Sequence, residues 1–263
     1  MPALSAILIA RNEQADLPRA LQSLEGVVDE IILVDAGSTD RTVEIARSGG
    51  ARIFERPFSS FADQKNYAAA QATNDWVFSI DCDEALTPEL RASLLAWKTE
   101  FPVQHGYEIS RLTNYLGGWI RHSGWYPDRI VRLYDRTHGQ FAGTIHESVR
   151  LDGRAGRLKG LLHHYNVRTY QEHLAKIDAF TDIAAAELYQ RGRKHWRVKM
   201  YVAAPWTFFQ RLVLRLGFLD GRRGWMIAWT SARYVRLKYA KLGALVRANG
   251  ERAPAPGPAA KTS

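Results

Sequence analysis

The residues best suited to chemistry stand in SIDCDE (79–84), at the end of an apolar run. Asp81 and Asp83 sit two apart with Glu84 adjoining, where the chain leaves a hydrophobic strand. Carboxylates crowded in this way repel one another unless a cation neutralises them. Hard divalent ions such as Mg2+ and Mn2+ take one or two carboxylates together with substrate phosphate oxygens. The plain alternative is that these acids cap the turn that follows. A second cluster, LVDAGSTDRT (34–43), puts Asp35 at the end of another apolar run, ahead of a small polar turn. A carboxylate there can accept hydrogen bonds from a base or a ribose, and Gly37 lets a ligand approach the backbone closely. Ser38, Thr39 or Asp40 can equally cap a helix. A third apolar run ends in ARNE (10–13), so three strand ends carry polar or acidic groups.

Hydrophobic periodicity supplies the elements that position these groups. SAILIA (5–10), EIILVD (30–35), ARIFER (51–56) and DWVFSID (75–81) read as strands. Helical patterns lie around Leu17, Leu21 and Leu24, over 39–48 and over 61–72. Strands separated by helices of this length imply βαβ units and a parallel sheet. Open α/β sheets bind ligands beyond the carboxyl ends of their strands, which gathers the polar ends at one edge. Thr87-Pro88-Glu89 predicts a helix start, with Thr87 as N-cap, running to about 101. From 105 to 165 short β-like runs (GYEISRL, DRIVRLY, GTIHESVRL, LKGLLHHY) predict a mixed or antiparallel second half. A long helix is predicted over 169–190 and further helices over 195–247, broken near 217–224. The Pro/Ala-rich end predicts disorder over 250–263.

The 263 residues, 46% hydrophobic and 24% charged, suit one large α/β domain or a domain with an appendage. A single cysteine, Cys82, excludes an internal disulfide framework and fits a reducing compartment. The start lacks the pattern of a secretory signal, and no stretch offers the roughly 18 uncharged apolar residues that a membrane span needs. A cytoplasmic chain without a span is therefore expected. The net charge of +9 hides an asymmetry. Residues 1–190 carry 20 Lys/Arg against 25 Asp/Glu, whereas 191–247 carry 14 against the single acid Asp220. Trp196, Trp206, Trp225, Trp229 and other aromatics interleave with those cations. Basic residues with aromatic anchors fit a helix lying on an anionic bilayer, while packing against the catalytic domain accounts for part of the aromatic content. Nucleic acid, which wants the same residue types, is the disfavoured partner. No GxGxxG follows the first strand, which argues against a dinucleotide-dependent oxidoreductase.

ILIARNE, ILVDAGSTDRT, QKNYA and SIDCDE, in this order and spacing over residues 4–90, resemble the family 2 glycosyltransferases with the GT-A fold. GWYPDRIVRLY, GTIHESV, LLHHYNVRTYQEHLAK and GFLDGRRGW extend the resemblance over nearly the whole chain, to the lipopolysaccharide core β-1,4-glucosyltransferases. It implies an α/β, Rossmann-like mixed sheet flanked by helices with a C-terminal helical extension. The implied domains are a catalytic domain over 1–190 (donor half 1–100, acceptor half 101–190), a basic aromatic extension over 191–249 and the tail. The implied activity is metal-dependent, inverting transfer of a hexose to an inner-core sugar, with UDP-glucose as donor. The acceptor would be a lipid-linked saccharide, and the enzyme peripheral on the cytoplasmic face of the inner membrane. A peptide or polyprenyl phosphate acceptor, or nucleotide-sugar binding without turnover, are the alternatives.

The resemblance also implies roles. Ala10, Arg11 and Glu13 would line the uridine site, and Asp35 with Ser38 would meet the uracil or ribose. Lys65 and Asn66 would lie near the ribose and diphosphate. Asp81 and Asp83 would flank a Mg or Mn ion and the donor sugar. Cys82, between them, belongs to this donor segment but is expected to pack inward without a catalytic role. Glu147 would take the proton of the acceptor hydroxyl as it attacks the anomeric carbon. One of His163 and His164 would add a metal ligand or a diphosphate contact, since consecutive strand residues point to opposite faces; a structural histidine is the alternative. Trp125, Tyr126, Asp128 and Arg129 would shape the sugar or acceptor pocket, with Trp125 and Tyr126 equally suited to a core.

Overall fold

The computed structural model describes residues 2–100, 102–143, 147–193 and 195–250. The tail expected to be disordered lies, from 251 on, outside the described residues. Two compact units divide the chain: Met1–Asn114 with Trp125–Asn166, and Tyr115–Gly124 with Val167–Ser263.

The first unit opens with alternating strands and helices: β1 (Leu4–Ala10), α1 (Leu17–Leu24), β2 (Glu30–Asp35), α2 (Thr42–Ser48), β3 (Arg52–Glu55), α3 (Phe61–Ala70) and β4 (Trp76–Ser79). It continues through β5 (Glu84–Leu86), α4 (Pro88–Thr99) and β6 (Gly106–Tyr115), whose last residue enters the second unit. β7 (Gly118–Trp119) belongs to the second unit; β8 (Asp128–Asp135), β9 (Gly139–Ala142), β10 (Ser148–Leu151) and β11 (Gly156–Val167) complete the strands. The main sheet runs β3-β2-β1-β4-β8-β6-β11-β5, and β9 with β10 forms a separate antiparallel ribbon. This is the mixed, helix-flanked sheet expected from the sequence. Strands β9 and β5 are additions, too short to carry a period of their own.

Register decides which residues meet. β1 and β2 are parallel with Ala10 opposite Asp35, and β4 runs parallel to β1 on its other side. β8 is antiparallel to β4, with Phe78 opposite Leu133, so its early residues reach the carboxyl edge of β1, β2 and β4. β6 pairs with β8 so that Arg111 faces Asp128, and β11 pairs with β5 so that His164 faces Glu84. Residues from 10 to 164 therefore converge on one edge.

The sheet is buried on both faces, which is why β1 and β2 read as near-continuous apolar runs. Leu4, Ala6 and Leu8 pack with Leu17, Leu21, Leu24, Leu90 and Leu94 on one side. Ile7, Ile32 and Val34 pack with Ala62, Ala68 and Ala69 of α3 on the other. Thr87 caps α4 by accepting from Leu90 N at 3.3 Å, as its sequence predicts.

The second unit holds α5 (Tyr170–Gln190), an arm that alternates π-helical turns (Lys199–Ala203, Gln210–Leu214) with α6 (Ala204–Phe209), a 3-10 turn (Gly217–Asp220) and α7 (Gly221–Gly250). Residues 170–190, expected within the catalytic domain, join this unit because α5 packs along α7. Lys241 Nζ pins that packing to Asp178 and Asp182 at 2.9 and 2.8 Å. Asp220 is spent on structure, accepting from Arg121 N, His122 N and Ser123 Oγ, each at 3.1 Å. No helix of the described residues is long and apolar enough to cross a membrane.

At the sheet edge remote from Ala10 and Asp35, Glu30 accepts from Ser5 Oγ at 2.7 Å and Thr73 N at 2.9 Å and pairs with Arg52. Burial alone would raise its pKa, but Thr73, Ser5 and Arg52 hold the ionised form and pull it from 4.5 to about 2. A depressed carboxyl stabilises the fold above its unfolded pKa and loses that contribution as pH falls towards its folded one. Glu30→Gln should cost about 1–2 kcal/mol at neutral pH, after solvent screening. It should also flatten the loss of stability between pH 4.5 and about 2. Urea titrations of both proteins across that range read the difference.

Candidate active site

Loops at the carboxyl edge are tied together before any ligand is considered. Asn12, held at a positive φ of 59°, accepts from Thr39 N at 2.8 Å, and its own N–H donates to Ser38 Oγ at 2.9 Å. Glu13 N donates to Thr42 Oγ1 at 2.7 Å. Asp35, almost wholly buried, accepts from Gly37 N at 3.0 Å, Ser38 N at 2.9 Å and Ser38 Oγ at 2.5 Å. Its carboxylate therefore shapes the loop first, and Ser38 is the residue that links it to Asn12.

A pocket of about 300 Å3 opens beside these loops, lined by Ala10, Arg11, Glu13, Ala36, Phe58, Phe61 and Gln64 among others. Phe58 and Phe61 meet edge to face at 5.1 Å and form an apolar wall. Gln64 is 1% exposed. Its Nε2 donates to Arg56 O and Pro57 O, both at 3.1 Å, which orients the amide and leaves Oε1 buried without a partner among the described residues. A largely apolar pocket with one orphaned acceptor in its wall suits a planar heterocycle that carries an N–H. The sequence reading missed Gln64, Phe58 and Phe61, although Gln64 heads the QKNYA motif. In one dimension the phenylalanines look like the start of an amphipathic helix.

The acids of SIDCDE are neutralised by cations from distant segments. Lys65 Nζ lies 2.9 Å from Asp81 Oδ1 and 2.9 Å from Glu147 Oε1, the latter 82 positions along the chain from the lysine. Arg132 bonds Asp81 Oδ2 at 2.6 Å and Glu84 Oε1 at 2.7 Å. Arg111 reaches the same Glu84 oxygen at 3.2 Å and holds Asp128 Oδ2 at 2.7 Å. Asp128, Arg111, Glu84, Arg132, Asp81, Lys65 and Glu147 thus alternate in sign. Burial alone would push the Asp81 carboxyl up, yet Arg132 and then Lys65 hold it well below the usual carboxylate range. The same acids hold Arg132 firmly charged against its burial.

Several expected residues take other roles. Both Asp81 oxygens are occupied by cations, so Asp83 is the acid of the pair turned elsewhere, 3.3 Å from His164 Nε2. His164 is the histidine at this edge, with Nδ1 3.4 Å from Thr113 Oγ1; the His163 ring meets Tyr165 edge-on at 6.4 Å. In the tautomer whose Nδ1–H donates to Thr113 Oγ1, Nε2 has a lone pair for a cation beside Asp83. A carboxylate and an imidazole are a chemically sound pair for a divalent ion completed by phosphate oxygens and water. Asn66, expected near the ribose, clamps β9: its amide donates to Phe141 O at 2.9 Å and accepts from Phe141 N at 2.8 Å. That clamp holds the ribbon from which Glu147 emerges.

Cys82 is 4% exposed and packs inward, its thiol 3.4 Å from Ile9 O. Burial and the surrounding acids push its pKa well up, so it stays a thiol. Trp125 and Tyr126 are half-buried, and Arg129 is exposed on β8. His105, Asp135 and His138 bring possible ligand atoms within 4.8 Å of one another, but on the opposite sheet edge, where Asp135 faces Trp76. The two imidazoles stack in parallel at 3.9 Å and 4°, so their in-plane lone pairs do not converge on one ion.

Arg132→Met should leave Glu84, which is fully buried, and Asp81 short of a cation. Removing one partner of a buried ion pair costs about 3–5 kcal/mol. The guanidinium denaturation midpoint should fall accordingly, and an unchanged midpoint would show that the ion chain carries no stability.

The sequence profile of "Glycosyl transferase family 2" matches residues 5–165, the stretch that carries this site. The lipopolysaccharide core biosynthesis glycosyltransferase LpsC of Rhizobium meliloti is 31% identical over 256 residues, covering 91% of each chain. An uncharacterized glycosyltransferase of Rickettsia typhi is 30% identical over 251 residues, covering 90% of this chain and 86% of its own. Among solved structures, mannosyl-3-phosphoglycerate synthase from Rubrobacter xylanophilus is 18% identical with a TM-score of 0.47, covering 74% of this chain and 76% of its own. The match spans well over half of the chain and includes the loops after β1 and β2, the paired aspartates and Glu147, and the chain belongs to glycosyl transferase family 2.

Proposed function

We propose that this chain moves glucose, with inversion, from UDP-glucose to an inner-core sugar of a lipid-linked lipopolysaccharide precursor at the cytoplasmic face of the inner membrane. The observation that carries the reading is the Lys65 ammonium shared by Asp81 and Glu147. It brings an acid of the acceptor half against the aspartate pair of the donor half, the arrangement an in-line displacement needs. The relative that acts in lipopolysaccharide core biosynthesis supports the acceptor class.

In this reading uracil enters the slot beside Phe58 and Phe61, and its N3–H donates to the orphaned Oε1 of Gln64. The diphosphate of the donor draws the Lys65 ammonium, which frees the oxygens of Glu147 for the acceptor hydroxyl. Glu147 accepts the hydroxyl proton as that oxygen attacks the anomeric carbon. The bond from that carbon to the phosphate oxygen breaks, and its electron pair leaves with UDP. Asp83 and His164 would hold a divalent ion, which would supply charge neutralisation for the departing diphosphate. The imidazole favours Mn2+ over Mg2+, which prefers an all-oxygen shell. Arg132 and Arg111 touch none of the reacting atoms; they hold Asp81 and Glu84 in place.

UDP release should be strongest with UDP-glucose among UDP-sugars, higher with Mn2+ than with Mg2+, and abolished by EDTA or Asp83→Ala. Glu147→Gln should lower transfer to a core saccharide by about 100- to 10,000-fold with little change in donor KM. Well-folded protein that neither binds nor hydrolyses any UDP-sugar would sink the reading. Gln64→Met should raise the donor KM by about tenfold, the cost of about one neutral hydrogen bond. An unchanged KM would remove Gln64 from base recognition.

A further inference from the structure

We infer that the outward face of the 198–219 arm, continued by Trp225 and Trp229 of α7, inserts into the headgroup region of an anionic phospholipid bilayer. This deepens the membrane side of the proposed function, but it rests on an observation that owes nothing to the transfer site. Among the described residues, twelve of the eighteen exposed large hydrophobic side chains fall between Val198 and Trp229.

The arm is apolar on both sides. Its inner stripe, with Ala204 and Leu212 buried, faces α7, and Phe208 stacks edge-on against Trp225 at 5.1 Å. Its outer stripe repeats at helical spacing: Tyr201 and Val202, then Trp206, Phe209 and Val213, are 42 to 68% exposed. Phe218 and Leu219 extend it at 51 and 57%, with Trp225 and Trp229 at 55 and 58%. An exposed apolar stripe of this extent marks a surface for an apolar medium, and the packing inside this unit covers only the inner one.

Charge selects the medium. Arg197, Lys199, Arg215 and Arg222 are exposed on the same arm and the start of α7. The 191–247 stretch carries 14 cations against the one acid Asp220, whose side chain is 4% exposed. A second copy of this chain would set like charges against each other, whereas anionic headgroups complement them while the acyl boundary takes the stripe. Tryptophan and tyrosine are the side chains that settle at such a boundary.

The test is flotation of the full chain with vesicles of phosphatidylethanolamine plus phosphatidylglycerol, against vesicles of phosphatidylcholine alone. Trp206→Glu with Phe209→Glu alters two exposed positions, and an unchanged thermal melt certifies its fold. Wild type should float with the anionic vesicles, and brominated acyl chains should quench its tryptophan emission. The double variant should bind at least tenfold more weakly and lose most of that quenching. Wild type that stays unbound, or a double variant that binds as well as wild type, overturns the inference. So does a dimer that the double substitution dissociates without vesicles, which would assign the face to a second copy. Flotation uses neither donor nor acceptor, so its failure leaves the UDP-release result untouched, and the converse holds.

Discussion

Four carboxylates and three cations alternate from Asp128 through Arg111, Glu84, Arg132, Asp81 and Lys65 to Glu147, and the candidate site is built around that sequence of charges. Glu84 is fully buried, so it is tolerable only because two guanidiniums share one of its oxygens. Its other oxygen accepts from Asp81 N at 3.0 Å, which sets the turn that presents Asp81 and Asp83. Breaking any one link would leave an uncompensated charge in a poorly solvated place. The constraint explains why antiparallel β8 and β6 must lie beside β4: they deliver Arg132 and Arg111 to the edge where Asp81 and Glu84 leave the parallel half.

The edge then divides its labour along the strand order. The loops after β1 and β2, with the start of α3, line a largely apolar pocket beside one buried acceptor that has no partner among the described residues. The turn after β4 faces two ways, Asp81 into the cation chain and Asp83 towards His164. Lys65 and Asn66 are adjacent on α3 but act differently. Lys65 bridges the acids, and Asn66 grips the backbone of Phe141 and so fixes the ribbon before Glu147. An orphaned acceptor, charge compensation and the anchoring of the ribbon before Glu147 are thereby carried by neighbouring residues of one short helix.

Much of this was legible in one dimension. The βαβ alternation follows from periods of apolar residues, which local burial on both sheet faces imposes. Thr87 announced α4, and the paired Asp81 and Asp83 announced a charged edge, because capping and electrostatic crowding act over two or three residues. Gln64 escaped notice because an orphaned carbonyl exists only relative to the backbone that occupies the other end of its amide. β9 escaped because four residues carry too little period to be read.

Patterns along the chain already carried the family, the polar and acidic strand ends, and the contrast between an acidic front and a basic, aromatic end. Those properties are sums over residues or patterns along the chain. Only the tertiary structure decided that His164 rather than His163 meets Asp83, that Asn66 serves the backbone, and that Lys65 spans 82 residues to hold Glu147. It also decided that the aromatic arm keeps one apolar stripe packed and the other bare. Each of these depends on register, and register is set by side chains that pack across the sheet, where distance along the chain has no bearing.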